Sequence, residues 1–289
     1  METAAKEVRT TRARLKAVAD APDPLAAALG AEIHVVDEAR ATKARMNIGQ
    51  LLVGRAAEVA FEDIYRERVK PNEFTLRDVR EGRTSTDYRV YNGGGRPLYR
   101  INVKFFRPLF RRSREMVGLE MADCFPLATY KVKQALERQD QEHLPYIFLI
   151  VGVANLEPTA IAPMIRNSDV EFLARIGAAG ISGVRNFEDR ILQRAVEERS
   201  PAFLAAYERI RAAPWYVLSA RRAQTLLIER LFDRVFALRV PRFAQQWRNA
   251  EVDMHFSLSE DLMPLNTFLD LLREKGPHVI TGMLERGTI

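Results

Sequence analysis

The chain predicts an α/β fold: a core ordered helix, three strands, helix, strand, followed by a mainly helical C-terminal region. Three observations predict it. Asp87-Tyr88-Arg89-Val90-Tyr91 and Leu98 to Phe106 are alternating runs separated by Asn92 and three glycines, which is a hairpin signal. Residues 41–69 carry Val53, Ala57, Ala60, Phe61 and Ile64 at helical spacing. Pro145 to Val153 is an unbroken apolar run of strand length, as expected of a strand buried on both faces.

Composition sets the outer bounds. With 289 residues, 47% of them hydrophobic and 28% charged, the chain is globular and long enough to bury a sizeable core. Lys plus Arg outnumber Asp plus Glu by 44 to 38, a net charge of +6 carried mostly by arginine, which favours a polyanionic partner. The single cysteine, Cys124, excludes an internal disulfide and suits a reducing cytoplasm. The charged N-terminus has no apolar stretch behind it, and the longest apolar run is too short to span a bilayer, so no membrane association is expected.

Taken in order, residues 1–44 read as a helical lead: an Arg-rich helix, a stop at Asp20-Ala21-Pro22, a short helix to Gly30 and a short strand at Glu32–Val36. Residues 45–156 form the core. On its first helix Gly54, Glu58 and Glu62 stack at i, i+4 and i+8 along the edge of the apolar stripe. Gly54 leaves a gap beside Glu58 that suits either a metal or phosphate, or the close packing of helix on sheet.

Phe74 to Val79 reads as the first strand, and a polar turn at Glu81 to Thr86 leads into the hairpin. Because strand side chains alternate, Ile101, Val103 and Phe105 face one way while Arg100, Asn102 and Lys104 face the other. Asp87 at the entry of its strand therefore brings a carboxylate towards the Asn102 amide and the Lys104 ammonium. Beyond the hairpin, Arg107 to Arg114 is a basic loop whose Arg107, Arg111, Arg112 and Arg114 suit phosphate contacts. Gly118 to Arg138 reads as a helix interrupted near Pro126, carrying Lys131 and Lys133.

Residues 157–289 read as a mainly helical recognition or dimerisation region. Helices are expected at Ser168–Ile176, Asn186–Arg199 and from Pro201 to Ala213; a strand at Trp215–Leu218; one long helix from Arg221 to Val240 with a stripe of Leu227, Leu231, Val235 and Leu238; a strand at Met254–Leu258; and a helix from Ser259 to Lys275 ended by Gly276-Pro277. Four scattered histidines offer no zinc spacing, and no P-loop, dinucleotide fingerprint or nucleophile elbow occurs. Gly93-Gly94-Gly95 reads as a hairpin tip.

The order αβββαβ, with Gly54-x-x-x-Glu58 on the first helix, Thr86-Asp87 opening the second strand and Asn102-Val103-Lys104 on the third, resembles the PD-(D/E)xK, or restriction-endonuclease-like, nuclease superfamily. The resemblance covers roughly residues 45–155. It implies a Mg²⁺-dependent endodeoxyribonuclease, with Mn²⁺ as a substitute ion, acting on double-stranded DNA in restriction, defence or repair. It implies Asp87 as the central metal ligand, Glu58 as support from the helix, and Lys104 as the group that orients or activates the attacking water. A homodimer is expected, since double-strand cutting usually needs two active sites.

Two positions depart from the family pattern. Thr86 stands where Pro is usual, and Asn102 stands where an Asp or Glu is usual, removing a negative charge where a hard cation wants one. In a subgroup of restriction enzymes a Glu near the following helix takes over that place, which here points to Glu120, with Glu115 as the second candidate, as a third metal ligand. The alternatives are that Glu120 simply favours a helix N-terminus, or that the chain is a catalytically silent nucleic-acid-binding or assembly protein.

Overall fold

The computed structural model describes residues 38–69, 73–79, 87–106, 112–153, 156, 158–178, 184–237 and 252–289. Most of the 1–44 lead, the Glu81–Thr86 turn with Thr86, Arg107, Arg111 and residues 238–251 therefore lie outside the described residues. The described chain falls into two compact units, one of residues up to Ala56 with Leu156–Arg209, the other of Ala57–Asn155 with Ile210–Ile289.

Helix α1, Glu38–Arg68, contributes to both units. In the larger unit it is followed by strands β1 (Phe74–Asp78), β2 (Tyr88–Asn92) and β3 (Pro97–Phe106), which form an antiparallel meander. The hairpin turns at Asn92, whose Oδ1 accepts from the N–H of Gly94 and of Arg96, and Gly95 takes a positive φ of 76° that costs glycine little. Helix α2, Thr129–Glu142, then crosses back so that β5 (Tyr146–Gly152) lies parallel to β3, with Asn102 beside Phe148 and Lys104 beside Ile150. Strands β6 (Trp215–Ser219) and β9 (Met263–Pro264) complete a mixed sheet of order β1-β2-β3-β5-β6-β9.

The sheet is covered on both faces. On one, Phe61 and Tyr65 of α1 and Phe268 and Leu269 of helix α7 (Leu265–Arg286) meet Tyr99, Ile101, Ile147, Leu149 and Val217. On the other, Phe148, Ile150 and Leu218 pack with Val132 and Ala135 of α2, with Leu226 of α6 (Ala220–Glu229), and with the small sheet's Phe125, Leu127 and Phe256. This explains why β5 reads as an unbroken apolar run: both its faces are buried.

Three expectations are corrected. The helix expected from Gly118 to Arg138 starts only at Thr129; before it come a short helix at Ser113–Val117, a 3-10 turn at Met121–Asp123 and strand β4, Cys124–Ala128. Strand β4 is the edge of a second sheet, β4-β8-β7, where Pro126 is tolerated because only one side is paired. The single helix expected at 221–240 breaks at Arg230, whose guanidinium pairs with the buried Asp261 carboxylate at 2.8 Å. A short helix, Leu231–Arg234, follows, and Val235–Ala237 then joins β8, Val252–Ser257, as β7.

The last helix starts at Leu265, not Ser259. Residues 257–261 are held in a turn by Asp261 Oδ2 on the Ser257 N–H and Asp123 Oδ1 on the Ser259 N–H. Gly276, at φ 77° and ψ 170°, does interrupt that helix, but Pro277 suits the first turn of a second segment that runs on to Arg286.

The smaller unit contains α3 (Asn167–Ala178), α4 (Val184–Glu197) and the start of α5 (Pro201–Ala212). Phe172 and Phe187 pack edge to face across α3 and α4, and Arg194 grips the buried Asp169 with both carboxylate oxygens within 2.6 Å. Among the described residues no helix is long and apolar enough to cross a membrane.

Candidate functional site

The antiparallel register sets Tyr88 opposite Ile101, which places Asp87 opposite Asn102 on the face that also carries Lys104. Asp87 is only 9% exposed. Its Oδ2 accepts the Asn102 Nδ2 at 3.1 Å and the Val103 main-chain N–H at 2.5 Å. Its main-chain oxygen accepts from the Val79 N–H at 3.2 Å, so residue 87 is held on both sides, its main chain at the end of β1 and its carboxylate by β3.

Lys104 lies within the electrostatic reach of this group. Burial pushes its ammonium down from 10.5 to about 8; the Asp87 carboxylate opposes that shift, Lys131 adds to it and Glu58 opposes it. Four sequence-selected residues, Asp87, Asn102, Lys104 and Glu58, are thus brought to one neighbourhood, with Lys131 entering from the first turn of α2. Tyr88, on the opposite face of β2, fastens α1 beside it by donating to Glu62 Oε1 at 2.7 Å and to the Glu58 main-chain oxygen at 3.4 Å. A Cβ added at Gly54 would meet nothing within 4 Å, so close packing does not account for that glycine.

Glu120 is placed otherwise. Its side chain is 68% exposed and stands 3.4 Å from Arg114 Nε, while Arg112 pairs with Glu115 at 2.9 Å. Among the described residues no three of His, Cys, Asp and Glu are grouped so as to hold a metal, so Asp87, Glu58 and Glu120 form no such trio. A magnesium ion needs fewer protein ligands than that, since it keeps several waters and is commonly held by one or two carboxylates together with the substrate phosphate. Asp87 and Glu58 both act electrostatically on Lys104, the one carboxylate from the entry of β2 and the other from α1.

Sequence reading placed Arg100 on the polar face without giving it a role and passed over Arg89; both lie on the same face as Asp87. Both donate to Glu142 Oε2 at the end of α2, at 2.9 and 2.5 Å. The signal available was their alternation with Asp87 and Asn102. What was missing was the strand register that sets them side by side.

No family model matches the sequence, and neither the curated proteins nor the solved structures contain a match to this chain.

Proposed function

We propose that the chain is a Mg²⁺-dependent endodeoxyribonuclease of the PD-(D/E)xK kind, with double-stranded DNA as substrate. The observation that carries the reading is the convergence of Asp87, Asn102 and Lys104 at one end of the β2–β3 hairpin, with α1 ahead of the three-strand meander and, beyond the short helix and β4, α2 and β5 after it.

In this reading Asp87, with Glu58, holds the ion, which supplies charge neutralisation at the phosphate when bound. The Val103 N–H and the Asn102 amide fix the Asp87 carboxylate, leaving it little freedom to turn away. Lys104, with an ammonium titrating at about 8, has a neutral fraction near neutral pH able to take a proton from water. As the water oxygen bonds to phosphorus, that proton passes to Lys104 Nζ and the P–O bond to the leaving strand breaks. In its charged form Lys104 steadies the oxygens of the phosphorane.

The test is incubation with duplex, single-stranded and branched DNA in Mg²⁺, then Mn²⁺, then chelator. Cleavage that needs the ion and is lost in Lys104→Ala supports the reading; equal cleavage by a folded Lys104→Ala overturns the assigned site. One observation favours a second reading, a silent nucleic-acid-binding protein: Asn102 contributes an amide where the family pattern has a carboxylate. Salt-dependent DNA binding without cleavage in either ion is its signature.

A further inference from the structure

The sheet register aligns three arginines. Arg77 of β1 is directly opposite Arg89 of β2, and Arg89 is directly opposite Arg100 of β3, so all three side chains leave the same face in one row across the strands. That face is the one carrying Asp87, Asn102 and Lys104, and the row lies two residues along the strands from Asp87 and Asn102, past the Tyr88–Ile101 pair that faces the other way.

Like charges directly opposite one another destabilise a sheet. Three in line is an arrangement that stability alone does not favour, and Glu142 offsets part of it. Glu142 gives a single oxygen, Oε2, to both Arg89 and Arg100. Arg89 keeps a buried Nε with no hydrogen-bond partner, and Arg77 is exposed with its guanidinium over the Tyr91 ring at 4.5 Å. A guanidinium over an aromatic face is steadied by the ring while it keeps N–H groups available to an anion. Exposure falls from Arg77 at the sheet edge, through the half-buried Arg89, to the buried Arg100.

We propose that the Arg77–Arg89–Arg100 row is a phosphate track that holds the backbone of a nucleic-acid strand beside the phosphate placed at Asp87 and Lys104. This rests on the nuclease reading for the position of the cleaved bond. The match is chemical: a linear row of forked donors bearing excess positive charge suits a polymer with one anionic oxygen pair per unit, and arginine binds such pairs bidentately. Arg77 and Arg89 make the contacts. Arg100 anchors the row to α2 through Glu142.

The experiment uses the full chain, a fluorescein-labelled duplex and its single strand as binding probes, and bis(p-nitrophenyl) phosphate as a small phosphodiester without a polymer backbone. Arg77→Gln/Arg89→Gln leaves Glu142 paired with Arg100 and is checked for folding by thermal melt. The slope of log affinity against log salt is expected to fall by about 1.8 on duplex, roughly 0.9 for each lost contact. Arg77→Lys/Arg89→Lys is expected to recover most of that slope. An unchanged slope in the folded Gln variant, or no oligonucleotide binding by wild type, overturns the track. Wild-type protein that hydrolyses neither substrate in Mg²⁺ or Mn²⁺ defeats the nuclease reading, while a fallen slope in the same preparation still supports the row.

Discussion

The main-chain N–H of Val103 donates to the Asp87 carboxylate at 2.5 Å, and that bond locks the entry of β2 to the middle of β3. The same oxygen takes the Asn102 amide, so the one carboxylate on the polar face opposite Asn102 is oriented by backbone and side chain together. Lys104 leaves this strand one residue later on the Asn102 face.

Replacing Lys104 with Met is expected to reduce cleavage by on the order of 10²–10⁴, the range for a positioned proton-transfer group, with duplex affinity little changed. The fold is not expected to weaken. A lysine titrating at about 8 in the folded chain and 10.5 unfolded carries a stability penalty that is full below pH 8 and disappears as pH rises from 8 to 10.5. A melting temperature for Lys104→Met well below wild type at pH 7 contradicts this.

Asn102→Asp exchanges a donor to Asp87 for a second carboxylate. Without metal the variant is expected to melt lower than wild type, through the lost hydrogen bond and like-charge repulsion. With Mg²⁺ it is expected to gain more melting temperature than wild type, because the ion then meets another anionic oxygen. Equal Mg²⁺ shifts in the two proteins would remove the metal from this place.

Glu120→Ala is expected to change metal affinity and cleavage little, since that carboxylate is exposed and stands by Arg114. Calorimetric titration of Mg²⁺ into wild type, Glu120→Ala and Asp87→Ala measures this. A loss in Glu120→Ala equal to that in Asp87→Ala restores Glu120 as a ligand.

His255 is expected to govern acid stability. Burial, helped by Arg234, pushes its imidazole down from 6.5 to about 4, and its Nδ1 lies 3.4 Å from the Cys124 sulfur. The folded state therefore resists the proton that the unfolded chain binds. The contribution is whole above pH 6.5 and is lost as pH falls from 6.5 to 4, about 3 kcal/mol in all. His255→Gln, compared with wild type by urea unfolding at pH 7 and pH 4, is expected to lose less stability on acidification by roughly that amount.

In the smaller unit, Asp169→Asn leaves Arg194 facing a neutral amide. The expected loss is about 3 kcal/mol, at the lower end for a broken buried pair because the arginine is partly solvated. Denaturant unfolding of the variant checks it, and a loss within experimental error would show the pair to be neutral in balance.

What the sequence determined by itself was local. Period-two alternation placed Asn102 and Lys104 on one face of their strand, the helical stripe marked α1, and the unbroken apolar run marked β5, because each of these patterns follows from backbone geometry within one segment; that Asp87 shares the face follows only from the β2–β3 register. What the tertiary structure decided was which segments meet. Cys124–Ala128 is a strand because β8 pairs with it, and the chain leaves the helix at Arg230 where the buried Asp261 carboxylate takes that side chain. Glu120 stands beside Arg114 and not beside Asp87, and Arg77, Arg89 and Arg100 form a row only once three strands take their register. Register and burial are set by contacts between residues far apart in the chain, and no local pattern in the sequence carries them.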